Sequence, residues 1–337
     1  MTTTARLSLR TALALGLAVA APARATVLEV PADVPTLQAA IDAAGDGDEV
    51  HAAPGVYTER IDFRGKAIAV VGSGPASVLD GAGAGPVVTF ASGEGPASIL
   101  DSFTVTGGDA PMGGGVLIVD ASPTVRRNVI RENAAAMRGS GIYVEGAGAA
   151  PYLHNNLVVY NRHSVADPHA IQVSNASPRI VNNTIVRNDS NGILLAGAGV
   201  ATVVGNVLAW NGSVVRDFGP RGRGICDFTT GAVVRYNSFF RNRVAALLRG
   251  GVDYRRIGVA EETLADPDLA GNLDGNPRLA RRRPPRRAED AVPAMFSPSA
   301  SIASPLRNAG DPDPAANDAD GTRNTIGHTG GPFGVAF

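Results

Sequence analysis

Three residue types that often carry structural or chemical signals are scarce in this chain of 337 residues. The single cysteine, Cys226, cannot form an internal disulfide, so stability has to come from a packed core, and its place in a repeat strand predicts a packed thiol. Lys66 is the only lysine among the 30 lysine and arginine residues. Because arginine is the usual basic residue of this chain, an isolated arginine is weak evidence for a functional site. Aromatic residues make up 5% of the chain, and the net charge of −1 gives no reason to expect a nucleic acid partner.

A long hydrophobic run is also missing. The apolar stretch at residues 11–20 is too short to span a bilayer, so no transmembrane segment is expected. It follows a basic start and precedes the small-x-small sequence Ala23-Arg24-Ala25, which is typical of a signal peptide. We therefore expect a bacterial signal peptide over residues 1–25, a secreted or periplasmic location, and a single mature domain over residues 26–337.

Repetition is abundant. The pattern small-x-apolar-x-x-Asn-x-apolar-x-x-Asn occurs five times, and an earlier copy has Phe103 in place of its first asparagine. A spacing of 23 to 31 residues between copies is typical of a solenoid. The first asparagines are Asn128, Asn156, Asn183, Asn206 and Asn237, and the second are Asn133, Asn161, Asn188, Asn211 and Asn242.

The internal pattern of the repeat selects the type of solenoid. Apolar residues two apart favour short strands, and 41 glycines and 23 prolines supply bends. Asparagine is poor in strands but suits bends, so stacked coils should align the asparagines in ladders. We predict a right-handed parallel β-helix with a short N-terminal capping helix at about residues 35–44. The clearest repeats span about 97–251, and irregular C-terminal coils and a tail span 252–337.

Both ends of the chain resemble a known group. Residues 37–50, followed by Ala-Pro-Gly-Val-Tyr at 53–57, are similar to the opening of secreted bacterial right-handed β-helix proteins of the pectin-lyase-like superfamily. Residues 304–311 and 318–327 are similar to their closing segment, although Thr-Ile-Gly-His at 325–328 departs from the usual Asp-Ile-Gly-Ala-Tyr ending. The resemblance implies the fold. It implies no single activity, because the superfamily includes lyases, hydrolases, esterases, epimerases and proteins without assigned chemistry.

Pectate-lyase chemistry makes a specific demand on this fold. The resemblance implies a Ca²⁺ site of aspartates on an outward sheet face, with an arginine or lysine as base. The outward positions of the Gly-Ile-x-Val strands carry no carboxylate, so we do not expect that site there. No cofactor is expected, and Ca²⁺ is the one alternative left open. The outward residues are Tyr143, Gln172, Leu194 and Cys226.

The loops after the second asparagine predict a groove. The short bend at Asp189 lies between two long loops, so stacking should place Asp189 near the groove floor. Asp189, Asp167 and Asp217 are the candidate acid/base residues of a hydrolase, and solvated loop aspartates are the alternative. The remaining polar wall residues are His163, His169, Arg216, Arg221 and Arg223. The spacing of His163, Asp167 and His169 is not that of a metal site.

A second feature is the stripe formed by the residue before each second asparagine: Glu132, Tyr160, Arg187, Trp210 and Arg241. Aromatic rings on either side of an arginine suit a sugar with an acidic substituent, with Arg187 on the carboxylate. The alternative is that Tyr160 and Trp210 pack at the corner of the solenoid. The predicted substrate-binding residues are Tyr160, Arg187, Trp210, His163, His169 and Arg221.

These features together predict an exported, monomeric protein that binds or processes extracellular polysaccharide. Its partner would be a polysaccharide or a cell-surface glycan. As an enzyme it would be a polysaccharide lyase or a glycoside hydrolase. The alternative is a non-enzymatic surface, adhesion or structural module.

Overall fold

The computed structural model describes residues 25–163, 169–212, 222–279, 296, 304–306, 308–319, 321–327 and 329. Apart from its last residue, the predicted signal peptide lies outside these ranges. Within them, no helix is long and apolar enough to cross a bilayer.

The predicted right-handed parallel β-helix is confirmed, with about eight turns. In each coil the chain passes through sheets A, B and C in that order, and each sheet contains nine strands. Sheet A consists of β1 (Val27–Val30), β2 (Glu49–Ala52), β5 (Ala69–Gly72), β8 (Ile99–Asp101), β12 (Thr124–Arg126), β16 (Tyr152–His154), β20 (Arg179–Val181), β23 (Thr202–Val204) and β26 (Val233–Arg235).

Sheet B follows sheet A in each coil. It consists of β3 (Gly55–Tyr57), β6 (Ser77–Asp80), β9 (Thr104–Thr106), β13 (Val129–Arg131), β17 (Leu157–Val159), β21 (Thr184–Val186), β24 (Val207–Ala209), β27 (Ser238–Phe240) and β30 (Leu273–Asp274).

Sheet C closes each coil, and its last strand runs antiparallel to its neighbour. It consists of β4 (Ile61–Asp62), β7 (Val88–Phe90), β11 (Val116–Val119), β15 (Ile142–Glu145), β19 (His169–Ser174), β22 (Asn191–Ala196), β25 (Arg223–Asp227), β28 (Ala245–Arg249) and β29 (Val252–Tyr254). A side sheet D contains β10 (Asp109–Met112), β14 (Ala134–Arg138) and β18 (Arg162–His163). The sequence pattern predicts a loop where β14 forms.

Alternation within the short strands fills the core. The middle residue of each sheet A strand from β8 onward points inward, and Leu100, Val125, Leu153, Ile180 and Val203 are fully buried. The residues on either side of it point outward, so sheet A presents two columns of side chains to the surface.

Two asparagine ladders link the coils, as predicted. Asn183 shows the pattern: its Oδ1 accepts from the backbone N–H and the Nδ2 of Asn156, both at 3.0 Å, and its Nδ2 donates to Oδ1 of Asn206 at 3.0 Å and to the Leu153 carbonyl at 2.9 Å. The first ladder continues to Asn272, which the repeat pattern does not identify.

The residue before each ladder asparagine adopts a left-handed backbone, with φ between 50° and 70°. Most of these residues are not glycine, so the strain has to be held by the surrounding hydrogen bonds. The left-handed turn places the residues of the predicted stripe, including Tyr160, Arg187 and Trp210, in one column at the corner between sheet B and the loops.

Helices cover both ends of the solenoid. The predicted N-terminal cap is α1 (Leu37–Ala43), whose Leu37, Ala40 and Ile41 side chains are fully buried. The C-terminal cap is α2 (Ile257–Leu264), which lies in the segment expected to be irregular. Glu261 of α2 ends the first ladder, because its Oε1 accepts from the N–H and the Nδ2 of Asn272 at 2.9 and 3.0 Å.

The described part of the C-terminal tail lies over the outward face of sheet B. Leu279, Phe296, Leu306 and Ile326 pack with apolar side chains of β13, β17, β21 and β24. The N–H of Gly327 donates to the Gly205 carbonyl at 2.8 Å. In the middle coils, the tail therefore buries part of the outward face of sheet B.

Candidate functional site

Two predicted wall residues of the groove, His169 and Arg223, are the first residues of sheet C strands. His169 pairs in register with Asn191, and its Nε2 lies 3.3 Å from Nδ2 of Asn191. Oδ1 of Asn191 accepts from the backbone N–H of Arg223 at 2.9 Å, and the Arg223 guanidinium forms an ion pair with Asp253. Asp189 is half-buried, and its N–H donates to the Asn161 carbonyl at 3.0 Å.

Several predicted wall residues cannot be placed. Asp167, Arg216, Asp217 and Arg221 lie outside the described residues, and only the backbone of His163 is described, at the end of β18. An acid/base role for Asp189, Asp167 or Asp217, and substrate contacts by His163, His169 or Arg221, stay predictions.

The predicted stripe is a stack of arginine and aromatic side chains. The Arg187 guanidinium lies 5.5 Å from the Trp210 ring centroid, and the Phe240 ring meets Trp210 edge-on at 5.3 Å. Arg241 lies 5.2 Å from the Phe240 ring, and Tyr160 meets Phe296 of the tail edge-on at 6.2 Å. Trp210 is only 9% exposed, so its ring is occupied by contacts within the chain.

An arginine-lined cleft begins where this stack ends. It has a volume of about 390 Å³, and four arginines line it: Arg241, Arg243, Arg255 and Arg256. Arg241 follows β27 in a left-handed turn and Arg243 follows Asn242, the last asparagine of the second ladder, whereas Arg255 and Arg256 lead into α2. The folding of the C-terminal cap against the last full coil brings the two pairs together.

Asp274 is the one carboxylate among the described lining residues of this cleft. Its oxygens accept from the N–H groups of Ile257 and Gly258, at 3.0 and 3.2 Å, at the start of α2. A carboxylate held in this way stabilises the helix N-terminus. Four guanidinium groups against one engaged carboxylate make the cleft suited to an anionic ligand, and its described lining provides no second carboxylate for an acid/base pair.

A second charged cluster lies on the outward face of sheet A. The buried Asp101 accepts from Nε of Arg126 at 2.8 Å, from Nε of Arg127 at 2.7 Å and from Oγ of Ser102 at 2.7 Å, and Nη2 of Arg127 also contacts it. Burial alone would raise the pKa of Asp101, but the hydrogen bonds from Arg127 and Ser102 and the two arginine charges outweigh it and lower the pKa.

His154 lies beside this cluster and is almost fully buried. Burial lowers the pKa of His154 to about 4, and the hydrogen bond between its Nδ1 and the accepting Oδ1 of Asn155 only partly opposes that shift. His154 is therefore neutral at pH 7. Its ring stacks on that of Tyr152, with centroids 4.1 Å apart. The Arg179 guanidinium lies over the Tyr152 ring, 4.6 Å from its centroid.

Neither charged site is evident from the repeat motif alone. Aligning the coils on their asparagines would bring out the sheet A cluster, because Asp101, Arg126 and His154 each lie two residues before a first-ladder position. The arginines of the cleft come from segments with no shared motif, and only the packing of the C-terminal cap brings them together.

The outward stripe of sheet C has the predicted register. Tyr143, Gln172, Leu194 and Cys226 pair in succession, without a carboxylate among them. Cys226 is buried with Leu194 and Leu248. In the described ranges, no group of three or more His, Cys, Asp or Glu side chains is arranged to hold a metal ion.

The fold defines the class of protein: the chain is a right-handed parallel β-helix protein. Residues 99–266 match the family described as Periplasmic copper-binding protein (NosD). Comparison with curated proteins finds no match. Among solved structures, the crystal structure of pectate lyase Pel9A is similar, with 16% sequence identity and a TM-score of 0.48 over 64% of this chain. The chain spans 60% of that enzyme's length.

Proposed function

We propose that this is an exported β-helix protein that binds the acidic groups of an extracellular polysaccharide in the arginine-lined cleft. The observation that carries the proposal is the excess of guanidinium groups around one cavity. All four arginines are exposed, and the cavity volume lies in the range of small-ligand sites.

The chemistry of the cleft suits carboxylate or sulfate groups on a sugar. A guanidinium group offers parallel N–H donors that match such oxyanions, and several around one cavity favour a ligand with more than one negative charge. Phe240 lies in the lining and offers apolar contact for a sugar ring. The stack from Arg187 to Arg241 leads into the same cleft, so the predicted stripe and the cleft form one continuous surface.

Export is supported by the basic start and short apolar run of the first 25 residues and by the periplasmic family matched at residues 99–266. A polysaccharide outside the cytoplasm is therefore an accessible ligand. A lyase or hydrolase activity in the groove over Asp189 is a separate prediction, which chain shortening of the polymer, abolished by Asp189→Asn, would establish.

Copper, named in the description of the matched family, does not fit the described residues of this chain. Proteins hold copper through imidazole, thiolate and thioether groups. The described donors of these types are His51 and His154 on sheet A, His169 and Cys226 on sheet C, and Met112 and Met137 on side sheet D. They are spread over three sheets, and the described residues contain no group of three or more His, Cys, Asp or Glu side chains that could hold a metal ion, so we assign no step to copper.

Binding of acidic and neutral polysaccharides to the Arg255→Ala/Arg256→Ala variant tests the proposal. Both side chains are exposed, so the fold should tolerate the change. We expect roughly ten-fold or greater loss of affinity for polygalacturonate or dextran sulfate, because two charge-assisted contacts are removed. Neutral dextran should bind neither protein.

The matched control is Arg60→Ala/Arg64→Ala, which removes two exposed charges near the opposite end of the solenoid. An equal loss of affinity in both double variants would show that only net charge matters, and unchanged affinity in the cleft variant would refute the proposed site.

A further inference from the structure

The outward face of sheet A carries more positive charge than its buried aspartate requires. We define the sheet A patch as Asp101, Arg126, Arg127, Tyr152 and Arg179. Asp101 forms ion pairs with both Arg126 and Arg127, so two guanidinium groups share one carboxylate. Their side chains remain 26% and 28% exposed, so both stay partly accessible to solvent.

The third arginine, Arg179, lies two coils after Arg126, in the other outward column of sheet A. Thr124 of β12 pairs with Tyr152 of β16, and Tyr152 pairs with Arg179 of β20, so the patch spans neighbouring coils. Arg179 is exposed and lies over the Tyr152 ring. Three arginines and one aspartate give the patch a net charge of +2, because His154 beside it is neutral at pH 7.

The buried carboxylate makes the patch rigid. Asp101 fixes Arg126 and Arg127 through their Nε atoms, at 2.8 and 2.7 Å, so little side-chain freedom is lost when an anion binds. A cross-coil clamp would need only one arginine to neutralise Asp101. The charge of the second arginine and that of the nearby Arg179 therefore exceed what Asp101 neutralises, and this surplus suits a ligand with oxyanion groups.

The patch and the arginine-lined cleft face opposite sides of the solenoid. The cleft lies where the chain passes from sheet B to sheet C, the corner opposite sheet A in each coil. The patch occupies strands two to five places before β26 in sheet A, so the sites are also separated along the axis by about 10–25 Å at ~4.8 Å per strand. One short saccharide cannot occupy both.

We propose that the sheet A patch is a second binding site for carboxylate or sulfate groups of an acidic saccharide, so that one protein molecule bridges two polysaccharide chains. This inference rests on the proposed function of the cleft. It makes the protein a cross-linker of acidic polymers.

The experiment is a calorimetric titration with trigalacturonate and, separately, with a sulfated trisaccharide. We expect two sites in the wild-type protein, one in Arg126→Gln/Arg179→Ala and one in Arg255→Ala/Arg256→Ala. Arg126→Gln leaves Arg127 on Asp101, and Arg179→Ala removes an exposed side chain, so the variant should fold. The acid that fills the second site identifies whether carboxylate or sulfate is recognised.

Light scattering with long polygalacturonate or dextran sulfate measures bridging directly. The wild-type protein and Arg60→Ala/Arg64→Ala should cross-link the polymer, and both site variants should bind it without cross-linking.

In the calorimetric titration, two sites retained in the patch variant, or no second site for either acid, overturn this inference. Two sites retained in the cleft variant overturn the proposed function instead. Arg179→Ala alone disturbs no contact of Asp101 and should weaken the second site several-fold; unchanged affinity would count against the patch.

Discussion

At the scale of single residues, His154 is a neutral imidazole held in a charged neighbourhood. Burial lowers its pKa to about 4, from an ordinary value of 6.5, and Arg126 and Arg127 act in the same direction. The folded protein therefore binds fewer protons at this position than the unfolded chain. The stability contributed by His154 is complete above pH 6.5 and is lost as the pH falls toward 4.

We predict that acidification from pH 7 to pH 4 lowers the free energy of unfolding by about 3 kcal/mol through His154, since one pKa unit corresponds to about 1.4 kcal/mol. Chemical denaturation at a series of pH values should show this slope in the wild-type protein and a flatter profile in His154→Gln.

Asp101 serves as an internal comparison for this pH profile. Its pKa is lowered from 3.8, so its contribution is lost below that value, in a more acidic window. If His154→Gln shows the same dependence of stability on pH as the wild-type protein between pH 7 and 4, other groups cause the slope.

At the scale of elements, α1 depends on a residue type that occurs once. Nζ of Lys66 donates to the carbonyl oxygens of Ile41, Asp42 and Ala44, at 2.7, 2.8 and 2.7 Å, and so holds the C-terminal end of the helix. Glu59 accepts from Leu37 and Gln38 at the other end. Both interactions complement the helix dipole. A compact ammonium group reaches three convergent carbonyls, whereas a planar guanidinium does not.

We predict that Lys66→Met lowers the free energy of unfolding by roughly 2 kcal/mol, because the carbonyls lose a charged donor. Hydrogen exchange at the α1 amides should accelerate as well. Lys66→Arg should recover only part of the loss.

Arg64→Met is the matched control, because Arg64 is exposed and its side chain forms a surface ion pair with Asp42. Full recovery of stability by Lys66→Arg would contradict the geometric argument for lysine.

At the scale of the whole molecule, the asparagine ladders connect coils that are distant in sequence. Asn183 links Asn156 to Asn206, and its loss would leave the N–H of Asn156 and the Leu153 carbonyl without their partners in the core. Buried groups left unpaired cost about 1–3 kcal/mol each, more than a hydrogen bond normally contributes.

We predict that Asn183→Leu lowers the free energy of unfolding by roughly 3 kcal/mol and leaves ligand binding in the cleft unchanged in the fraction that remains folded. Calorimetric melting and polygalacturonate binding measure the two effects. Asn276→Leu is the control: it removes one exposed hydrogen bond, from the N–H of Arg278, and should destabilise the protein far less. An unchanged melting temperature in Asn183→Leu would refute the structural role of the ladder.

The sequence predicts the periodic part of this molecule well, because every ladder asparagine must recur once in each coil. It locates both ladders, the capping helix α1 and the register of the stripe that contains Arg187 and Trp210. It misses Asn272 because the spacing from Asn237 lengthens to 35 residues and the position five residues further on is Pro277 instead of asparagine. It also misses α2, which has no repeat to indicate it.

The candidate sites are less predictable for a physical reason. The sequence predicts that Trp210 contacts a sugar, but it does not show that Phe240 and Arg187 lie against its ring. Arg255 and Arg256 gain significance only when the C-terminal cap brings them to Arg241. A pattern shows which residues share a column, whereas cavities and charge excess depend on how irregular segments pack on those columns.

The first ladder has a polarity that limits how the solenoid can grow. Every asparagine donates to the oxygen of the following coil, so the series of amides runs in one direction from Phe103 to Asn272. Glu261 is an acceptor that, as a carboxylate, cannot pass the series on. A duplicated coil can be inserted between two asparagines without breaking the sequence of donors, but none can be appended beyond Glu261. Lengthening by internal duplication, with fixed ends, is thus the change that this architecture tolerates best.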